Sequence, residues 1–163
     1  MSGAPEPPGH PRPTPGWPTA PPRVVETAAP AGTEELAAEL ARGLRPGDAV
    51  LVSGELGAGK TTFVRGALRA LGVTGPVTSP TFTLARRYSG TGGIPLSHLD
   101  LYRLGALEDD DDVLLADELA GDRIAFVEWP EAGETAGLFG RVAARVRLEH
   151  LTGDRRRVTL VTP

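Results

Sequence analysis

The chain has 163 residues, 40% of them hydrophobic and 23% charged, with a formal net charge of −4 and no cysteine. That length suits one domain; the missing thiols exclude disulfides, thiolate zinc sites and a cysteine nucleophile, and the acidic balance argues against gripping nucleic acid unaided. No run reaches the roughly 18 apolar residues of a membrane span and no secretory leader opens the chain, so a soluble cytoplasmic domain is expected.

Ten of the sixteen prolines fall in the first thirty residues. Such a stretch has too little apolar surface to offset the entropy of ordering it. Residues 1–23 therefore read as an extended, solvated tail, and residues 24–163 as the folding unit. Thr33 is placed to cap a helix with Glu34 and Glu35 in its first turn. Leu36, Leu40 and Leu44 follow one turn apart, until Gly43 and Gly47 end the element. Asp48–Ser53 is a short apolar run, a buried strand. Gly54 to Gly59 makes a glycine-rich turn, and helical spacing returns from Thr61 to about Leu71. Strands are predicted at Thr81–Tyr88 and Ile94–Leu99, joined by a turn at Ser89–Gly93. An acidic helix is predicted over Ala106–Leu119, followed by a buried strand at Arg123–Val127. Val142, Ala144, Val146 and Leu148 then alternate with more polar neighbours, the period of a half-exposed strand. Thr152-Gly153-Asp154 turns it onto a partner at Arg156–Val161, a C-terminal β-hairpin. The pattern predicts an α/β fold of three layers, a mixed sheet with helices packed on it.

Gly54-Glu-Leu-Gly-Ala-Gly59-Lys60-Thr61 matches G-x-x-x-x-G-K-[ST] in full, with an apolar strand before it and a helix after it. In such a loop the glycines let successive N–H groups point at phosphate oxygens, and the helix N-terminus adds partial positive charge. Residues Glu55, Leu56, Gly57, Ala58, Gly59, Lys60, Thr61 and Thr62 are thus the expected nucleotide cradle. Lys60 would reach the β- and γ-phosphates, and the Thr61 hydroxyl would hold Mg²⁺. Sixteen of the seventeen basic residues are arginine, and Lys60 is the single lysine. It stands where a flexible ammonium serves and a planar guanidinium would not fit. A guanine-reading N/T-K-x-D motif needs a second lysine, so the expected nucleotide is ATP.

A phosphate loop needs a further Mg²⁺ anchor at a strand end, where ligands of open α/β sheets bind. Glu128 follows the apolar Ile124–Val127, and Asp100 follows Ile94–Leu99. Either acid fits. Three scattered histidines, His10, His98 and His150, speak against a His-rich metal site.

With these blocks in view the chain resembles the TsaE family of bacterial P-loop ATPases required for threonylcarbamoyladenosine formation in tRNA. The matching segments are Gly54–Phe63, Thr78-Ser-Pro-Thr-Phe-Thr-Leu84, His98-Leu-Asp-Leu-Tyr-Arg-Leu104 and Phe126-Val-Glu-Trp-Pro-Glu131, within about residues 33–158. The resemblance implies an ATPase that works with two partner proteins, TsaB and TsaD. It implies Thr61 and Glu128 as Mg²⁺ ligands, and Asp100 as an acid important for hydrolysis and close to the metal. Trp129 would lie beside the nucleotide. Ser79-Pro80-Thr81 would be a switch whose threonine senses the γ-phosphate, in a segment, Val77–Leu84, entered through Gly75 and Pro76. The acid run Glu108–Asp112 and the proline-rich tail depart from the family pattern. Arg155-Arg156-Arg157 reads either as an edge-hairpin charge cluster or as a phosphate or tRNA contact, and Arg103 as a possible internal arginine. Two further readings stand beside the ATPase: a small-molecule phosphotransferase on the same loop, and a binding module in which ATP gates assembly with little turnover.

Overall fold

The computed structural model describes residues 21–102, 104, 109–131 and 137–163. In chain order the elements are β1 (Arg23–Thr27), α1 (Pro30–Ala41), β2 (Asp48–Ser53), α2 (Lys60–Ala70), β3 (Ala85–Ser89), β4 (Pro95–Asp100), α3 (Asp109–Glu118), β5 (Ile124–Glu128), β6 (Arg141–His150) and β7 (Arg156–Val161). A single 3₁₀ turn, Thr91–Gly93, separates β3 from β4. The strands form one sheet in the order β1-β7-β6-β2-β5-β4-β3. β2 runs parallel to β5 and β6, and β4 parallel to β5; the β1–β7, β6–β7 and β3–β4 pairs are antiparallel. The sheet is therefore mixed, with a parallel middle and the expected C-terminal hairpin.

The parallel middle explains the apolar runs, because a strand covered on both faces has no side to give to water. Alternation sends Val50, Val52, Ile124 and Phe126 to the face where α1 and α2 pack. Ala49, Leu51, Ala125 and Val127 go to the other face, where Leu115 of α3 joins them. Three layers result. Phe63, Val64, Ala67 and Leu68 anchor α2 with no exposed surface; burying each large side chain contributes about 1.5–3 kcal/mol. The helix that follows the glycine loop is thereby fixed on the sheet. α1 lies close over it at Gly66, where an added Cβ would meet the Glu34 carbonyl oxygen at 2.4 Å. On the opposite face, Glu118 of α3 accepts from Ser97 Oγ at 3.1 Å and Arg87 Nε at 2.9 Å. No helix among the described residues is long and apolar enough to cross a membrane.

Three local expectations are corrected. Thr33 does not cap α1. Pro30, whose fixed φ suits the first helical position, starts the helix earlier, from an N-cap at Ala29. Thr33 is instead buried in α1, its Oγ1 2.8 Å from Thr27 Oγ1. The strand expected at Thr81–Tyr88 begins only at Ala85, because Leu84 takes a left-handed φ of +65° and residues 81–83 form a turn. Thr81 Oγ1 there donates to the Asp100 carboxylate and Thr83 Oγ1 to the Ala85 carbonyl, the latter a local bond of the kind that competes with a ladder. β1 was not expected. It is a five-residue edge strand between Pro22 and Pro30, paired only with β7, and its proline-rich surroundings mask it. β1 begins one residue before the boundary drawn at residue 24. Residues 1–20 of the expected tail and Ala106–Glu108 of the expected acidic helix lie outside the described residues, as does Arg103.

Candidate functional site

The end of β2 and the start of α2 set the site. Gly54 leaves β2 with φ +146°, and a Cβ there would meet the Leu148 carbonyl oxygen at 2.5 Å. No other residue fits without moving β6. Gly59 caps α2 from φ +99°, in the left-handed region open to glycine.

Lys60 is 5% exposed. Its Nζ donates to the carbonyls of Gly54 at 2.7 Å and Glu55 at 2.8 Å, and lies 4.3 Å from the Trp129 ring centroid. Burial pushes its pKa below the ordinary lysine value, while Glu128, Asp100, Glu131 and Glu55 pull the other way. Thr61 Oγ1 donates to Glu128 Oε1 at 3.0 Å. The same carboxylate oxygen lies 2.7 Å from His98 Nε2, with both side chains buried. Against a carboxylate the ring nitrogen must donate. Nδ1 of His98 is buried without a hydrogen-bond partner, so that ring is anchored through Nε2 alone.

Parallel pairing of β4 with β5 places Asp100 beside Glu128 in register. Both acids therefore emerge at the same level, at the carboxyl ends of neighbouring strands. Period-two alternation puts His98 on the same face as Asp100. Asp100 Oδ2 accepts from Thr81 Oγ1 at 3.1 Å and Ser79 Oγ at 3.4 Å, and Oδ1 accepts from the Tyr102 N–H at 3.0 Å. Ser79 and Thr81 are themselves joined at 2.7 Å. Trp129 has φ +55°, its N–H donates to the Val52 carbonyl at 3.2 Å, and its ring stands 4.9 Å from that of Tyr102. A non-glycine residue in this region costs about 1–2 kcal/mol, so packing and hydrogen bonding hold it there.

Lys60, Thr61, Ser79, Thr81, Asp100, Glu128 and Trp129 line one cleft of about 330 Å³. Of the expected residues, Leu56, Gly57, Gly59, Lys60, Thr61, Thr62, Thr81, Asp100, Glu128 and Trp129 line it. Glu55 lines a second hollow of about 380 Å³ on the opposite face of the sheet, and the Ala58 side chain is buried in the core. The second hollow is larger, but Lys60, Thr61 and Asp100 do not line it. The smaller cleft is the one that gathers the side chains expected to meet phosphate. The oxygen donors there suit Mg²⁺, which is held through one or two carboxylates and takes its other oxygens from phosphates and water. Among the described residues no group of three or more His, Cys, Asp or Glu is placed to cage an ion unaided.

Sequence reasoning passed over His98 and left Arg156 undecided. The signal for His98 was its place two residues before Asp100 on an apolar strand. Arg156 lines the cleft, whereas Arg155 and Arg157 bond to Glu26 of β1.

Residues 27–158 match the family model described as "Threonylcarbamoyl adenosine biosynthesis protein TsaE". The chain is 47% identical over 122 residues to a tRNA threonylcarbamoyladenosine biosynthesis protein TsaE from Streptomyces coelicolor, covering 74% of this chain and 80% of that one. Its counterpart from Bacillus subtilis is 42% identical over 63% of each chain. The Mycobacterium tuberculosis protein of the same name is 38% identical over 147 residues, 84% of this chain and 81% of that one. Among solved structures, the crystal structure of Bacillus subtilis YdiB superposes with a TM-score of 0.68 at 29% identity, covering 86% of this chain and 85% of that one.

Proposed function

The chain belongs to the TsaE family and serves tRNA threonylcarbamoyladenosine modification, and we propose that it does so as a cytoplasmic, Mg²⁺-dependent ATPase working with TsaB and TsaD. One observation carries this reading. Lys60, Thr61, Thr81, Asp100 and Glu128, drawn from separate segments, converge on one cleft at the mouth of the glycine loop.

Mg²⁺, when bound, would supply positive charge to offset what develops on the terminal phosphates, and Thr61 and Glu128 are the residues that would hold it. The protein's own part is to orient and hold. Lys60 exchanges its loop carbonyls for β- and γ-phosphate oxygens, with the Trp129 ring against its ammonium. The Thr61 hydroxyl and the Glu128 carboxylate hold the ion, and His98 fixes which way that carboxylate faces. Asp100, at the neighbouring strand end, orients the attacking water. Its hydrogen bond from Thr81 gives the γ-phosphate a route to it, since a threonine that turns to the phosphate releases the acid.

A turnover assay of the purified protein, alone and then with TsaB and TsaD, tests the reading. An incomplete phosphoryl-transfer site loses about 10³–10⁵ in rate, so slow turnover alone and acceleration by the pair is expected. A protein that already runs at ~1 s⁻¹ or more, as ordinary kinases do, and ignores both partners overturns it.

A further inference from the structure

The C-terminal hairpin supplies a second cation to the cleft. Besides Lys60, Arg156 is the only cationic side chain among the described residues lining it, in a cleft that also holds Asp100 and Glu128. Its Nη2 donates to the Gly57 carbonyl at 3.2 Å, and its Nη1 to the carbonyls of Gly153 and Arg155. A Cβ built on Gly59 would lie 3.6 Å from Arg156 Nε. The guanidinium thus rests on the stretch of loop whose N–H groups would wrap a phosphate chain.

The neighbouring arginines are committed elsewhere. Arg155 and Arg157 donate to the two oxygens of Glu26, at 3.0 and 3.1 Å. The structure therefore separates three consecutive arginines into two that fasten β1 and one that faces the cleft.

Strand order then says which part of a nucleotide Arg156 meets. β5 and β4, which carry Glu128 and Asp100, lie on one side of β2, whereas β6 and β7 lie on the other. Asp100, Thr81 and Glu128 mark the γ-phosphate and metal end. Arg156 enters from the opposite side, over Gly57–Gly59. We propose that Arg156 is a phosphate-binding residue that clamps the α- and β-phosphates of the bound nucleotide, giving up the Gly57 carbonyl to do so. This rests on the nucleotide reading of the cleft above. Without Arg156, Lys60 alone would face two carboxylates and a polyphosphate; with it, the phosphates meet a planar fork suited to paired oxygens.

The test is calorimetric titration of ADP and of a non-hydrolysable ATP analogue, with Mg²⁺, into the full chain and into Arg156→Ala, Arg156→Lys, Arg155→Ala and Arg157→Ala. A hydrogen bond to a charged group is worth a tenfold change or more, and the exchange with Gly57 holds the effect near ~10-fold. Arg156→Ala is expected to weaken ADP and the ATP analogue by that same factor, and Arg156→Lys by less. Arg155→Ala and Arg157→Ala remove the same charge and are expected to leave both affinities near wild type. Unchanged affinities in Arg156→Ala overturn the proposal and leave the nucleotide reading standing. So does a loss confined to the ATP analogue, which would mark a γ-phosphate contact, or an equal loss in all three alanine variants, which would mark the general field of the hairpin. A wild-type chain that binds neither nucleotide overturns this proposal together with the reading beneath it.

Discussion

His98→Ala probes the least exposed polar pair of the site. The imidazole has no exposed surface, its Nε2 lies 2.7 Å from Glu128 Oε1, and Glu128 itself is 3% exposed. Leaving a buried polar group without its partner costs about 1–3 kcal/mol, and more for a charged one. Glu128 keeps its hydrogen bond from Thr61 Oγ1, so we expect a loss of about 3 kcal/mol. A domain of this size is stable by about 5–15 kcal/mol, so the variant should fold and be measurable. Urea unfolding of the wild type, His98→Ala, Glu128→Ala and the double variant isolates the pair from the void left by the ring. Because the contact is a hydrogen bond to a charged group, its coupling energy should be about 1.5–3 kcal/mol. His98→Gln, which retains an N–H donor, should recover part of the loss. A coupling energy below about 0.5 kcal/mol, the scatter of independent sites, would refute the claim that His98 holds Glu128 in place.

Lys60→Ala should abolish nucleotide binding in the same titrations. Burial disfavours the ammonium form of Lys60, so its reactive neutral amine should appear at lower pH than in free lysine; a small uncharged amine-reactive reagent, applied without nucleotide and with only this lysine and the N-terminus to modify, reports the midpoint, and a midpoint at or above that of free lysine contradicts the burial effect. The two acids should fail differently: Glu128→Ala weakens Mg²⁺-dependent binding, whereas Asp100→Asn keeps binding and loses turnover, and the reverse pattern would exchange their roles. Gly66→Ala should destabilise the fold despite a helix-propensity gain of about 1 kcal/mol, because the new Cβ would press on the Glu34 backbone at 2.4 Å; increased stability in urea would show that α1 yields easily.

The sheet interior was legible because burial on both faces writes itself as uninterrupted apolar residues. Asp48–Ser53 was bounded to the residue, and the alternation of Val142 through Leu148 matched a strand with one wetter face. The glycine loop was legible for the opposite reason, since its backbone geometry admits few residue types. What stayed hidden depends on partners distant in sequence. β1 has no strong pattern of its own and exists because β7 presents an edge to Arg23–Thr27. Thr33 looked like a cap until Pro30 fixed an earlier start and Thr27 offered it a buried partner. In the same way nothing local distinguishes Arg156 from Arg155 and Arg157. Strand pairing decides it: Glu26 stands opposite Arg157 across β1 and β7, and the fork left over falls on the cleft.

The donors gathered in the cleft already have acceptors within the protein. Lys60 holds the loop carbonyls, Thr61 holds Glu128, Thr81 holds Asp100, and Arg156 holds Gly57. Binding a nucleotide is therefore an exchange of hydrogen bonds rather than a gain of new ones, and each exchange between neutral groups is worth only about 0.5–1.5 kcal/mol net. The advantage of the phosphates lies in their charge, which makes Lys60 and Arg156 the terms that decide affinity. The Thr81 exchange differs in kind, because it binds little and frees much. Once Thr81 turns toward a γ-phosphate, Asp100 loses its hydrogen bond from that hydroxyl and is available to a water at the strand ends. Ser79, bonded to both Thr81 and Asp100, must move with it. On that reading Ser79, Thr81 and Asp100 would act as one unit with two arrangements, and whatever else presses on the segment around Pro80 would bias that equilibrium by its differential contact with the two. A partner surface acting there would change turnover strongly and ADP affinity hardly at all, since ADP carries no γ-phosphate to recruit Thr81.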